Sequence, residues 1–290
     1  MSAAATIEKP TRHTGLLGRA LSYRRAQLGL ALVVTIAAIA VLGPLVAPHS
    51  ATSFVGAPYG DPTARALFGT DGLGRDVFSR FLWGGRSILA MSLAATVVGL
   101  AAGIAVGLTA AYVRGWTDEV LMRLMDVALA FPQIVLVLLL VATLGPQPWL
   151  IVLTVGFGHA PRVARVTRAV ALEVVERDFI KSAKALGEPA WRILGAEVLP
   201  NIASPLLVEF GLRLTYSIGA IAAIGFIGFG VQPPAADWGL MINENRIGLS
   251  IQPWSVLLPV LAIGLLTVGM NLFTDGIARA SIGIDRGAAQ

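Results

Sequence analysis

Six apolar runs, separated by polar segments that hold most of the charge, leave this chain few ways to fold. They lie at residues 28–47, 88–113, 124–144, 149–160 or a little beyond, 205–231 and 255–273. At ~1.5 Å of rise per residue, about 20 residues cross a ~30 Å hydrocarbon core. Inside that core the backbone must satisfy its own hydrogen bonds, and helices do so within one segment. The expectation is an all-α polytopic membrane protein with six transmembrane helices. Of the 290 residues 56% are hydrophobic and 13% charged, where a soluble domain has roughly a quarter charged. The fourth run is interrupted by Gly156, Gly158, His159 and Pro161 and followed by Arg162. It spans if it begins at Pro148 and its arginines snorkel to the interface.

Charge orients the runs. Lys9, Arg12, Arg19, Arg24 and Arg25 precede the first, as in a cleavable signal, but that run is longer than a signal core of roughly 7–15 residues and no convincing A-x-A site follows. With the N-terminus inside, 16 of the 22 Lys and Arg fall on inner segments, against Arg65, Arg75, Arg80, Arg86 and Arg246 outside. The positive-inside rule therefore places both termini in the cytoplasm. The formal charge of +5 then marks cytoplasmic loops rather than a nucleic-acid surface. The chain reads as a cytoplasmic tail (1–26), a first span (27–47), an outer loop (48–87), a core of five spans (88–276) and a cytoplasmic tail (277–290). There is no cysteine, so disulfides and Cys-based metal sites are excluded. No G-x-x-x-x-G-K-[ST] loop and no catalytic triad or carboxylate pair is present; the chain reads as non-catalytic.

The inner segment 177–200 is too polar to span, yet Phe179, Ala183 and Leu186, then Trp191, Leu194 and Val198, recur at helical spacing. Gly187 suits a left-handed helix stop and Pro189 a helix start, so two short helices joined by an elbow are expected. Such a segment either lies on the lipid surface or offers Ala183, Leu186, Gly187 and Trp191 to a partner. In the outer loop, Val77, Phe78, Phe81 and Leu82 share one helical face, with Arg75, Ser79, Arg80 and Arg86 off it. That pattern predicts an amphipathic helix on the outer interface.

Motifs now add a resemblance. Ala183, Gly187, Leu199 and Pro200 match the E-A-A-x-x-x-G…I-x-L-P loop of bacterial ABC-importer permeases, with Lys181, Ser182 and Glu197 departing from it. Residues 68–80, F-G-T-D-G-L-G-R-D-V-F-S-R, are similar to the signature G-T-D-x-x-G-R-D-V-x-S-R of the oligopeptide and dipeptide permeases. So are M-R-L-M-D-V-A-L-A-F-P at 122–132, I-G-F-I-G-F-G-V-Q-P-P at 224–234 with Trp238 and Gly239, and Asn271, Asp275 and Gly276. Ile221 stands where many members carry Glu.

The resemblance implies a type I ABC-importer permease fold in a bacterial cytoplasmic membrane. It implies a second, homologous permease subunit, two ATP-binding subunits or one fused pair, and an extracytoplasmic substrate-binding protein. ATP and magnesium would be held by the ATPase subunits, with no cofactor in this chain. Peptide is the expected cargo, with glutathione or nickel as alternatives; a carrier or channel working alone is the rival class. Lys181, Ser182, Ala183, Lys184, Leu186, Gly187, Trp191, Arg192, Leu199 and Pro200 would form the ATPase-coupling elbow. Gly69, Thr70, Asp71, Gly74, Arg75, Asp76 and Arg80 would form an outer-face motif. Within the spans, Glu209 and Arg213 stand at i,i+4 spacing, and two readings stay open: a snorkelling ion pair, or Arg213 lining the path or pairing with Asp126. A lone His159 reads as an interior residue rather than a metal ligand.

Overall fold

The computed structural model describes residues 16–282 and is helical throughout its regular elements. The expectations for Lys9, Arg12 and residues 283–290 lie outside the described residues. Helix α1 (Leu16–Ala20) leads into α2 (Arg24–Val46). After a folded loop come α3 (Val77–Val113), α4 (Gly115–Ala130), α5 (Gln133–Leu144) and α6 (Pro148–Val175). Then follow α7 (Asp178–Ala185), α8 (Ala190–Arg192), a π-turn at Ile193–Val198 and α9 (Leu199–Asn201). The chain closes with α10 (Ala203–Ile227), α11 (Trp238–Asn245) and α12 (Trp254–Ile282).

Among the described residues, α2, α3, α10 and α12 are each long and apolar enough to cross a membrane. Helices α4 and α5 make a fifth span if taken together; they bend by 74°, because Pro132 drives Phe131 into extended backbone. That makes five of the six spans expected. The fourth run is the exception: its helix, α6, runs through Pro161 for 28 residues, but its second half carries Arg162, Arg165, Arg168 and Glu173. Residues 161–175, expected in a cytoplasmic loop, are helical because Val163, Ala164, Thr167, Ala171, Val174 and Val175 form a buried face.

The outer amphipathic helix is present, though not as a separate element. Its residues are the first turns of α3, a single helix of 37 residues capped by the Asp76 side chain, which accepts from the Ser79 amide at 2.9 Å. Val77 and Arg80 are both fully buried, while Trp83 and Arg86 on the same turns are exposed.

The main core joins α2, α3, α5, α6, α10, α11 and α12 around Ile36, Phe81, Ile88, Ile151, Ile218, Ile224, Trp238 and Leu266. Trp238 is fully buried; it stacks on Phe81 at 5.5 Å and donates its indole N–H to the Phe81 carbonyl at 2.9 Å. A Cβ at Gly85 would stand 2.6 Å from that indole, which is why the ring has room. A second core, at the other end of the helices, packs the 180–202 segment onto α3 and α6. Apolar side chains of α2, α4, α5 and α12, among them Leu45, Leu124, Leu139 and Leu261, remain exposed, as surfaces facing lipid or another subunit do.

Candidate functional site

Two constructions occupy opposite ends of the helical bundle. At one end is the elbow. The last turn of α7 closes with a Schellman motif: the Glu188 amide donates to the Ala183 carbonyl and the Gly187 amide to the Lys184 carbonyl, both at 3.1 Å. Gly187 has φ +78°, which a side-chain-bearing residue adopts only with strain. Pro189 stands at the N-cap of α8. The π-turn that follows directly precedes Pro200, which has no N–H to extend an α-helical ladder.

The elbow has two faces. Ile180, Ile193 and Val198 are buried, while Leu186 is 83% and Trp191 76% exposed, with Phe179 also exposed. Val198 thus points inward, with Ile180 and Ile193. Phe179, Ser182, Ala183, Leu186, Arg192 and Ile193 help line a groove of about 400 Å³. The cationic residues are tied locally. Lys181 lies 3.3 Å from Asp178, Arg192 lies 3.2 Å from Glu188, and the Lys184 ammonium sits 4.2 Å from the centre of the Tyr112 ring. Leu199 is half-buried and Pro200 exposed. Beside the elbow, Arg114 pairs with Glu176 at 2.5 Å and holds its carboxyl below the usual range.

At the other end the 69–80 segment forms a clasp with α11. Arg80 Nη1 donates to Asp71 Oδ2 and to Glu244 Oε2, both at 2.7 Å. Arg75 donates to the same two carboxylates at 2.7 and 2.9 Å. Asp71 also accepts from the Leu73 and Arg75 amides, and Asn245 Oδ1 from the Gly72 amide. Thr70 donates to the Ala57 carbonyl and accepts from the Gly60 amide. Gly69 and Gly74 both carry positive φ; a Cβ at Gly74 would stand 2.3 Å from the Gly56 carbonyl oxygen. Burial pushes the Glu244 carboxyl up to about 7, against the opposing pull of Arg75, and Asp71 adds to the rise. Asp237, which caps α11 and accepts from Ser87 at 2.5 Å, is likewise pushed up by burial.

The membrane-embedded charges resolve differently from one of the two readings. Asp126 pairs with Arg165 of α6, not with Arg213. Arg213 lies 2.7 Å from Glu209 on its own helix, and both are buried, not snorkelling. Their contact is electrostatic, since Arg213 Nε and Glu209 Oε1 are not aligned as a hydrogen bond. Nearby, His159 Nε2 and Ser217 Oγ are 2.9 Å apart, and Thr96 donates to that hydroxyl at 3.0 Å.

Sequence reasoning therefore found the elbow and the outer motif but missed what each grips. Glu244, Asn245 and Asp237 lie some 160 residues beyond the motif and carry no local pattern. Tyr112 had only its position near the end of an apolar run to mark it, and Ile180 and Ile193 fall outside the set of apolar positions read at helical spacing.

With this geometry in view, comparison with known proteins is specific. The model of the family described as "Binding-protein-dependent transport system inner membrane component" matches residues 99–282. The chain is 38% identical over 219 residues to a glutathione transport system permease protein of Pectobacterium atrosepticum, covering 76% of this chain and 73% of that protein. It is 34% identical over 256 residues to a dipeptide transport system permease protein of Alkalihalophilus pseudofirmus, covering 88% and 84%. Among solved structures it resembles a chain of the methionine ABC transporter MetNI in an inward-facing form, with a TM-score of 0.52 over 68% of this chain and 96% of that one. At 18% identity that likeness shows a shared fold.

Proposed function

Because the chain belongs to the family of binding-protein-dependent transport system inner membrane components, we propose that it forms half of the path by which an ATP-driven importer takes up short peptides, glutathione among them. The relatives named for dipeptide and glutathione transport support this cargo class. The other half of the path is a homologous permease subunit. Two ATP-binding subunits, which hold ATP and magnesium, dock from the cytoplasm on the elbows of the two permease subunits, and a binding protein delivers the peptide to the clasp end. This chain is the non-catalytic subunit.

The observation that carries the reading is the elbow's division of labour. Buried Ile180 and Ile193 fix it to the bundle, while Leu186 and Trp191 stand out with nothing among the described residues to cover them. Large exposed apolar side chains beside a groove are what a helix-in-groove contact needs as anchors. ATP-driven closure of the docked pair would then move the elbow, and through it the helices, between two states.

Leu186→Asp combined with Trp191→Asp tests this directly. Both side chains are exposed, so the chain should fold and insert as before, yet lose ATPase subunits on co-purification and lose peptide-stimulated ATP hydrolysis. Removal of interface anchors costs roughly 2 kcal/mol or more each, enough to dissolve the contact at working concentrations. Undiminished co-purification, or peptide transport by the purified chain alone in liposomes without ATP, would remove the proposal; the second outcome would mark a carrier.

A further inference from the structure

The elbow's inner face is fastened to the bundle by contacts of three kinds. Ile180, Ile193 and Val198 form an apolar plug against Leu108 and Ala111 of α3 and Ala171, Val174 and Val175 of α6. Arg114, just after α3, pairs with Glu176, just after α6, and so ties together the two helix ends from which the elbow hangs. The third contact is Lys184 over Tyr112, the last-but-one residue of α3, at 4.2 Å, well inside the ~6 Å over which a ring attracts a cation.

These contacts differ in what they constrain. Apolar burial has no direction, so a plug alone lets the eight-residue α7 turn about it. The Arg114–Glu176 pair joins the ends of α3 and α6 directly, and Lys181 and Lys184 of α7 act on Glu176 only through weaker, longer-range attraction. Lys184–Tyr112 is a directional contact between α7 and α3 at the rim of the plug, against which the Tyr112 ring also packs, and a directional contact fixes a tilt. Above it, α3 and α6 approach along Gly99, Gly103 and Gly107, where a Cβ would meet its nearest α6 atom at 2.5–2.6 Å. Whatever tilts α3 at this end therefore also moves α6.

We propose that Tyr112 is a positioning residue for coupling: its ring is the seat on which Lys184 holds the tilt of α7, so that displacement of the elbow reaches the α3–α6 pair instead of being lost as rotation of α7. The proposal rests on the reading of the elbow as the ATPase dock.

The test is the ratio of ATP hydrolysed to dipeptide transported, measured in proteoliposomes on the complete importer and only on preparations holding both ATPase subunits. Tyr112→Leu should raise the ratio about two- to fivefold, the loss expected of an exposed cation–π contact. Tyr112→Phe keeps the ring and should stay at the wild-type ratio. Lys184→Met should match Tyr112→Leu, and the double variant should be no worse than either single one. A wild-type ratio in Tyr112→Leu, equal damage in Tyr112→Phe, or additive effects in the double variant would each overturn the proposal. The dock is tested apart from it: if Leu186→Asp keeps its ATPase subunits, the docking reading fails, while the Tyr112 ratios still decide whether the seat transmits anything.

Discussion

A guanidinium with no exposure to solvent, such as that of Arg80, persists only where carboxylates surround it, because breaking a buried charge set strands the remaining partners. Arg80→Leu leaves Asp71 and Glu244 to share the single guanidinium of Arg75 and should cost about 1–3 kcal/mol, read as a fall in the thermal unfolding midpoint of the detergent-purified protein. Glu244 adds a pH dependence whose sign follows from its folded value of about 7 against an ordinary 4.5. Between those limits the folded form keeps a proton that the unfolded form releases. Stability from this group is thus full below the lower limit, falls as pH rises through the window, and levels off above the upper one. Glu244→Gln should flatten that slope in melting curves taken across the window; an unchanged slope would place its origin elsewhere. The outer motif was legible as a motif, since Gly74, Arg75 and Asp76 stand in a recognisable order. Its purpose was not, because a helical wheel sends Arg80 to solvent and cannot see a carboxylate on α11.

At the scale of elements, the elbow was the most legible part. Its stop and start signals are local, and Gly187 takes the positive φ its place demands. The α3–α6 seam was less so: Gly103 and Gly107 form a G-x-x-x-G, a pattern common in so glycine-rich a chain, and nothing in it names the facing helix. A Cβ on Gly103 would stand 2.7 Å from the Ala160 carbonyl oxygen and 2.5 Å from the Val163 Cβ. Backbone cannot retreat as a flexible side chain can, so Gly103→Ala should destabilise by about 1–3 kcal/mol. Gly219, on α10, has nothing within 4 Å of a Cβ, and Gly219→Ala should instead stabilise by up to about 1 kcal/mol through helix propensity. Opposite shifts in unfolding midpoint from the same chemical change would establish the seam; equal shifts would deny it. The length of α6 escaped prediction for a related reason. Pro161 and three arginines look like a helix end until Ala164, Thr167 and Ala171 are seen to pack against α3.

Across the whole molecule, one helix links the two constructions: α3 starts at the clasp with Asp76 and ends at the elbow with Tyr112. At ~1.5 Å per residue it is about 55 Å long, so the clasp and the elbow face opposite sides of any bilayer the bundle crosses. Which side is which is a proposal from charge: the excess of Lys and Arg accompanies the elbow end, and the positive-inside rule would put that end in the cytoplasm. The absence of cysteine from the chain makes this testable with single introduced thiols. Leu186 at the elbow is 83% exposed and Leu73 at the clasp 57%, so Leu186→Cys and Leu73→Cys should both be reactive without disturbing the core. A membrane-impermeant maleimide should label Leu73→Cys in intact spheroplasts and leave Leu186→Cys untouched. Inside-out vesicles, with the ATPase subunits stripped, should give the reverse. Labelling of Leu186→Cys from outside would invert the molecule, and no cytoplasmic ATPase could then reach the elbow.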